Sequence, residues 1–282
     1  MAVERIKRAF RLLALYARMD AAWLLRDTRN CILAVVSDLV SNLASISSVF
    51  LLSQRFAGVG ALSSDEILLM LGYSSTLSGL FQLFFGGGNA GYISRRVGRG
   101  QLDHMLIQPL PLSAQLLTEG FLPVSGSGVF VSGIAVVAIA AVRLNLTLTF
   151  GWVLLLLCYL VCGVAIVLGY SFLAGSTAFY RPKGGEELSS VAIDALFALS
   201  IYPLSGLPAL LRGALLTVLP TGIMAWLPTC ILLNKTEGGI LPLLPALVAV
   251  TLCGLAYIFF SKGLKHYAKT GSSRYRSVGH RS

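Results

Sequence analysis

Long apolar stretches separated by short polar gaps make up most of the chain. A helix that crosses a hydrocarbon core of about 30 Å needs roughly 20 mostly apolar residues, and several stretches reach that length. They predict six transmembrane helices, near residues 31–53, 67–93, 113–142, 151–179, 189–211 and 241–261. The predicted fold class is therefore all-α, as a polytopic membrane protein.

The first 30 residues carry a different pattern, in which apolar and basic side chains fall on opposite sides of a helix. The two sets are Ile6, Phe10, Leu13 and Ala17 on one side, and Lys7, Arg8, Arg11 and Arg18 on the other. Residues 1–30 are therefore predicted to form an amphipathic helix that lies in the cytoplasmic membrane surface. The alternative is a basic helix that only faces solvent.

A second exception lies before the last predicted span. Residues 215–234 are apolar enough to cross the membrane, but Pro220 and Pro228 interrupt them. Proline lacks the backbone N–H that a continuous helix needs, and a further span would move the basic carboxyl end across the membrane. We expect residues 212–238 to form short re-entrant helices in the outer half of the membrane, where protein covers the backbone.

Composition and charge support this picture. Hydrophobic residues make up 56% of the chain and charged residues 12%, which excludes an ordinary soluble domain. Most basic residues lie in residues 1–30, 94–110, 181–183 and the tail 262–282, whereas the opposite side receives only Arg55, Arg143, Arg212 and Lys235. The positive-inside rule then places both termini in the cytoplasm. The membrane itself is expected to be the plasma (inner) membrane. The net charge of +10 thus sets orientation and does not indicate nucleic-acid binding.

The sequence shows no convincing catalytic, cofactor or metal site. The run Gly86 to Gly91 has the glycine spacing of a phosphate loop, but Tyr92 and Ile93 stand where a lysine and a hydroxyl residue are required. The five cysteines lie in apolar segments without a CxxC pair or a nearby histidine, so neither disulfides nor a zinc site is expected. We expect a chain that is not an enzyme and binds no cofactor itself.

Residues 94–110 form a charged segment between the second and third predicted spans. In a helix, its arginines and Asp103 would form one ridge with an internal ion pair, and two leucines would lie one turn apart. The candidate contact residues are Arg95, Arg96, Arg99, Leu102, Asp103 and Leu106. Pro109 and Pro111 then end the helix. Such a helix is suited to dock on another protein; the alternative is an ordinary positive loop.

A few polar residues lie at membrane depth. Asp38, Asn42 and Ser45 follow one stripe of the first span, and Asp194 lies inside the fifth. A carboxylate that faces lipid costs about 2.5 to 3.5 kcal/mol on insertion scales, so both aspartates should face protein or a wet cavity. These four residues are candidates for the substrate path, although they could instead bond neighbouring helices.

Three stretches resemble segments of the ABC-2 type permeases, in the branch of six-span subunits related to daunorubicin-type and other uncharacterised exporters. They are RRVGRGQLDHMLIQPLP at 95–111, IYPLSGLPALLRGALLTVLPTGIMAWLP at 201–228 and FSKGLKHYAKTGS at 260–272. The resemblance implies that ATP and Mg bind to a separate ABC ATPase subunit, present in two copies. It also implies a second permease subunit, identical or homologous, an export direction, and a coupling role for the helix between spans two and three.

Two other classes of protein remain as alternatives. A secondary, ion-coupled transporter should show inverted halves or helices broken near the midplane, and the sequence shows no convincing internal repeat. A membrane-embedded enzyme should gather His, Asp or Glu at one interface, and no such cluster is evident in the sequence. The permease therefore remains the first interpretation, with the secondary transporter as its alternative.

Overall fold

The computed structural model describes residues 2–56, 58, 60–86, 91–236 and 239–271, and these contain helices and no β-strand. The α-helices are α1 (Ala2–Arg26), α2 (Thr28–Arg55), α3 (Ser64–Phe85), α4 (Ile93–Gly98), α5 (Leu102–Leu106), α6 (Leu112–Thr118), α7 (Ser127–Arg143), α8 (Phe150–Gly175), α9 (Pro182–Gly185), α10 (Leu188–Ser200), α11 (Ala209–Thr217), α12 (Leu227–Leu232) and α13 (Leu244–Thr270). A π-helix, Gly222–Trp226, leads into α12. The predicted all-α fold is confirmed.

Four helices are long and apolar enough to cross a membrane: Thr28–Arg55, Ser64–Phe85, Phe150–Phe179 and Leu241–Thr270. A fifth crossing is possible if Ala209–Thr217 and Gly222–Leu232, which meet at an angle of 80°, together form one broken span. The same bend also fits a re-entrant loop. A polytopic membrane protein is thus confirmed, while the count of six spans and the re-entrant form of residues 212–238 stay predictions.

Two of the predicted spans are not continuous helices. In the predicted third span, α6 ends at Thr118 and α7 begins only at Ser127, with Gly120 and Pro123 between them. The predicted fifth span stops at Ser200, before Pro203 and Pro208. Proline and glycine are poor helix formers, and proline removes a backbone donor. The hydrophobic pattern extends through these breaks because it reports burial in apolar surroundings, not helix continuity.

Helix α3 lies at the centre of the fold. In the most apolar 18-residue stretch of α3, 72% of the residues are buried. The corresponding share is 11% in α2 and 17% in the helix Leu241–Thr270. Helix α3 packs closely along α7, where a Cβ atom on Gly79 would lie 2.2 Å from the backbone nitrogen of Phe130. Small residues allow such close approach of membrane helices. The residues that α3 presents to its neighbours therefore line the interior of the molecule.

The amino-terminal helix predicted at residues 1–30 is present as α1, and its location in the membrane surface stays a prediction. Of the glycine run, Gly87 to Ala90 lie outside the described residues, as does the basic tail from residue 272 onward. Asp27 caps α2, with its side chain accepting from the backbone N–H of Asn30 at 3.4 Å. The chain therefore turns from α1 into the first span within two residues.

Candidate functional site

The charged segment predicted as one docking helix consists of two short helices. Helix α4 ends at Gly98 and α5 begins at Leu102. Between them Gly100 has a φ of +68°, a left-handed conformation that residues other than glycine rarely adopt. The prediction of one continuous helix over this segment is therefore wrong, and the arginines and leucines lie on different helices.

The arginines of this segment pair with a distant part of the chain. Arg95 donates from Nε to Oε1 of Glu187 at 3.1 Å and from Nη2 to Oε2 at 2.5 Å. Arg99 donates from Nε to Oε1 of Glu186 at 2.5 Å. The expected ion pair between Arg99 and Asp103 is thus replaced by one with the segment between α8 and α10. The side chain of Asp103 is exposed.

These ion pairs affect the protonation of Glu187. Hydrogen bonds from Arg95, and then from Ser190, hold the pKa of the Glu187 carboxyl below its ordinary value. A carboxyl whose pKa is lowered on folding contributes stability above its unfolded pKa, and the contribution is lost as the pH falls through the folded pKa. The contribution of the Arg95–Glu187 pair to this contact is therefore lost only as the pH falls into the acid range.

Two serines fasten the same two segments below the ion pairs. The backbone N–H of Ser94 donates to Oγ of Ser189 at 3.3 Å, and the backbone N–H of Ser189 donates to Oγ of Ser94 at 3.0 Å. Ser94 Oγ donates to the carbonyl of Glu186 at 2.7 Å, and Ser189 Oγ to the carbonyl of Ser171 in α8 at 2.9 Å. We call residues 93–107 and 182–190 together the platform.

The apolar residues of the platform divide into buried and exposed ones. Leu102 is fully buried beside Ile93 and Phe179, so it supports the platform from within and does not lie on its surface. Leu106 is 45% exposed and Ile107 is 81% exposed. The apolar surface that the platform offers is therefore Leu106 with Ile107, where the sequence pattern had indicated Leu102 with Leu106.

A large cavity of about 780 Å³ lies next to the platform. Both candidate aspartates line it, Asp38 from α2 and Asp194 from α10, although they are far apart in the sequence. Six aromatic side chains also line it: Tyr16, Trp23, Phe81, Tyr92, Phe121 and Phe197. Its charged lining residues are four carboxylates, those of Asp20, Asp38, Glu119 and Asp194.

Arg96 connects the platform to this cavity. Its Nη1 donates to Oε1 of Gln101 at 3.0 Å, and its Nη2 lies 3.7 Å from Oε1 of Glu119, which lines the cavity. Among the three arginines, Arg96 is thus the one that faces the cavity and not the 182–190 segment. A movement of the platform would reach the cavity wall through this contact.

Asn42 and Ser45 line a small cavity of about 210 Å³. The amide of Asn42 donates to Oγ of Ser75 in α3 at 2.6 Å and to Oγ of Ser132 in α7 at 2.9 Å. Asn42 therefore bonds neighbouring helices, the second of the two roles that the sequence left open. By contrast, the carboxylates of Asp38 and Asp194 have no hydrogen-bond or ion-pair partner among the described residues, and both side chains are exposed.

Asp20 is a buried site residue that the sequence pattern did not identify. It lies on α1, is 5% exposed, and accepts from the backbone N–H of Val124 at 2.7 Å and of Ser125 at 3.2 Å. Its other oxygen accepts from Oγ of Ser125 at 2.7 Å. The available signal was an acidic residue on the apolar side of α1, because at 100° per residue Asp20 falls beside Leu13 and not among the basic side chains.

Within the described ranges, no group of three or more His, Cys, Asp or Glu side chains could hold a metal ion. A family model described as "ABC-2 family transporter protein" matches residues 39–271. The match covers α3 to α13 and most of α2. No curated protein and no solved structure matches the chain.

Proposed function

Because the chain belongs to the ABC-2 family of transporter proteins, we propose that it is the permease subunit of an ATP-driven exporter. In this proposal the chain itself is not catalytic, and a separate ABC ATPase subunit binds ATP and Mg. Two ATPase copies and a second permease subunit, identical or homologous, complete the complex. The complex lies in the plasma (inner) membrane with both termini of the chain in the cytoplasm.

The observation that carries the proposal is the construction of the platform. Two segments that hydrophobicity alone would leave as separate loops are held together by two arginine–glutamate pairs and reciprocal serine hydrogen bonds. Planar guanidinium groups fix orientation as well as distance. The platform can therefore move as one body when a partner pushes on its exposed residues, Leu106 and Ile107.

The contacts of the platform suggest how such a movement would reach the transport path. Ser189 bonds to Ser171 in α8, and Arg96 contacts Glu119 at the wall of the large cavity. In the proposed mechanism, closure of the ATPase tilts the platform, and these contacts transmit the tilt to α8 and to the cavity. The candidate path residues are Asp38 and Asp194, which line that cavity, together with Asn42 and Ser45 in the small cavity.

The secondary transporter remains the alternative, and it makes a different demand on the platform. An ion-coupled carrier has no ATPase to bind, so its cytoplasmic loops need not form one rigid body with an apolar tip. No contact among the described residues favours this alternative over the permease.

The proposal is tested with Ile107→Asp, because this side chain is 81% exposed and its change leaves the platform core intact. We expect a normally inserted permease that retains little ATPase, since a carboxylate cannot be desolvated in an apolar contact without a partner. Retention is measured as ATPase recovered per permease in a pull-down in mild detergent. The matched control is Ala268→Asp, which adds one carboxylate at an exposed position of α13.

Full ATPase recovery with Ile107→Asp, and also with Leu106→Asp added, would contradict the docking role of the platform. Loss of ATPase with the control as well would mean that any new negative charge on this side disrupts the complex. If no ATPase is recovered with the wild-type chain, the permease proposal gives way to the secondary transporter.

A further inference from the structure

The large and small cavities share one side chain, Phe197 of α10. It lies between the carboxylates of the large cavity and the hydroxyl groups of the small one. Its ring packs against that of Phe81 in α3, with centroids 5.6 Å apart and planes at 58°. Phe81 is 3% exposed and packs in turn against Phe85. One side of the Phe197 ring thus packs against the buried ring of Phe81, while another side borders both cavities.

Helix α3 lines both cavities with polar residues at helical spacing. Gln82 lines the large cavity, and Ser78 and Ser75 line the small one. Residues four and three positions apart lie on one face of a helix. From Ser75 to Gln82 this face extends about 10 Å at 1.5 Å per residue. Helix α3 is the most buried of the four long spans, so its polar face is not explained by contact with lipid.

The polar groups on this face are of two kinds. Ser74 bonds to Ser200 at 2.5 Å and Ser75 accepts from Asn42, so these two fasten helices together. The side chains of Ser78 and Gln82 have no hydrogen-bond partner among the described residues, although both are partly buried. Partly buried polar groups without partners are available to a ligand or to water.

Helices α2 and α10 complete the wall. Asp38 on α2 lies in the large cavity, and Ser45, about two turns further along the same helix, lies in the small one. On α10, Asp194 precedes Phe197 by three residues, so the carboxylate and the ring lie on the same face. The three helices therefore line both cavities with polar residues, a surface that we call the groove, and Phe197 is the described residue that the two cavities share.

We propose that this groove is the translocation path, with Gln82 and Ser78 as its ligand-binding residues and Phe197 as the gate between its two cavities. This rests on the proposed function and adds residues to it. The groove accepts molecules that donate hydrogen bonds and disfavours anions, because its charged lining residues are all carboxylates and its other polar side chains are two carboxamides, hydroxyls and one indole. The aromatic walls add contact area for the apolar part of such a molecule.

The gate is tested by cysteine labelling in the full chain with its five native cysteines replaced. A single cysteine is placed at Ala34, which lines the large cavity, or at Ser45, which lines the small one. The probe is a membrane-impermeant methanethiosulfonate that bears a trimethylammonium group, added only on the platform side of sealed vesicles. With Phe197 present, we expect fast labelling at Ala34→Cys and slow labelling at Ser45→Cys.

Phe197→Ala should raise the labelling rate at Ser45→Cys by about tenfold, which is the upper end of what one aromatic pair contributes, and leave Ala34→Cys unchanged. The control Phe172→Ala removes a ring from a different pair, Phe172 with Phe260 at 5.2 Å, and should change neither rate. Phe197→Tyr keeps the ring and should keep the slow rate. At Ala34→Cys, a sulfonate-bearing analogue should react more slowly than the cationic reagent.

An unchanged Ser45→Cys rate in the Phe197→Ala variant, with Ala34→Cys still labelled quickly, overturns the gate. Equal labelling by the cationic and anionic reagents overturns the proposed preference of the groove. Both measurements use the permease without its ATPase, so they are independent of the pull-down. If the wild-type chain recovers no ATPase while Phe197→Ala still raises the labelling rate at Ser45→Cys, the proposed function alone is contradicted. If the wild-type chain recovers ATPase and that labelling rate does not change, the gate alone is contradicted.

Discussion

The platform and the large cavity lie side by side, yet charged side chains are paired in the platform and partly unpaired in the cavity. In the platform, Arg95 and Arg99 each bond to a glutamate from the other segment. In the cavity, Asp38 and Asp194 have no partner among the described residues. Paired charges fix one geometry, whereas unpaired carboxylates in a cavity stay available to a ligand or to water. The comparison supports the proposals that the platform moves as a unit and that the cavity admits a changing occupant.

Asp20 shows that the difference depends on surroundings and not on residue type. It lines the same cavity as Asp38 and Asp194, but three hydrogen bonds from residues 124 and 125 hold it. An unpaired charge against lipid costs about 2.5 to 3.5 kcal/mol, so we expect Asp38 and Asp194 to face water or a second subunit and not lipid. Of the four carboxylates of this cavity, Asp20 is thus structural, Glu119 lies 3.7 Å from Arg96, and the other two have no ion-pair partner among the described residues.

The largest expected effect concerns the support of the platform. Leu102→Ala should lower the free energy of unfolding by about 2 to 5 kcal/mol, because the side chain is fully buried and its loss leaves a cavity. Leu106→Ala, at a side chain that is 45% exposed, should lower it much less. Thermal unfolding of the two variants in detergent measures the difference. Equal losses would mean that Leu102 is not the internal support.

A smaller effect is expected where the cavity wall is held by Asp20. Asp20→Ala should cost about 1 to 3 kcal/mol, because the backbone N–H groups of Val124 and Ser125 would lose the carboxylate oxygen that now accepts from both. The same unfolding assay measures it. If the variant is as stable as the wild type, Asp20 belongs with the free carboxylates and the contrast within the cavity disappears.

The ion pairs of the platform should contribute less than its apolar core. A double-mutant cycle with Arg99→Ala and Glu186→Ala should give a coupling energy of about 0.2 to 1 kcal/mol, since both side chains are partly exposed. The coupling should decrease as salt is added. Zero coupling at low salt would show that Arg99 and Glu186 do not hold the two segments together.

The smallest effect on stability is expected at Asp194. Because this carboxylate has no partner among the described residues, Asp194→Asn should change the free energy of unfolding by no more than about 0.5 kcal/mol. Transport, or the ATPase activity of the reconstituted complex, should nevertheless change, since the residue lines the cavity. A large loss of stability would place Asp194 among the structural carboxylates, beside Asp20.

Part of the candidate site was predictable from spacing alone. The stripe of Asp38, Asn42 and Ser45 follows from helical periodicity, and the structure places all three at cavities. The two roles within the stripe were not predictable, because they depend on what the neighbouring helices present. Ser75 and Ser132 accept hydrogen bonds from the amide of Asn42. The carboxylate of Asp38, by contrast, has no hydrogen-bond or ion-pair partner among the described residues.

The docking segment shows a different limit. The sequence predicted that its arginines and leucines lie on one helix closed by prolines, and the structure divides them between two short helices. A single residue, Gly100 at a φ of +68°, ends one helix and rotates the next. Glycine tolerates this conformation without requiring it, so the sequence permitted either one helix or two. The rotation buries Leu102 and exposes Ile107.

The sequence by itself determined that this protein is helical and lies in a membrane. Backbone groups in a bilayer must be satisfied within each segment, and an α-helix does so with bonds four residues apart, so apolar length is a local and readable signal. Only the tertiary structure decided which charges meet. Arg95 and Glu187 are 92 positions apart, Arg99 and Glu186 are 87, and Asp20 and Ser125 are 105. No periodicity extends over such separations, because these pairs depend on how whole helices pack and on where each helix ends.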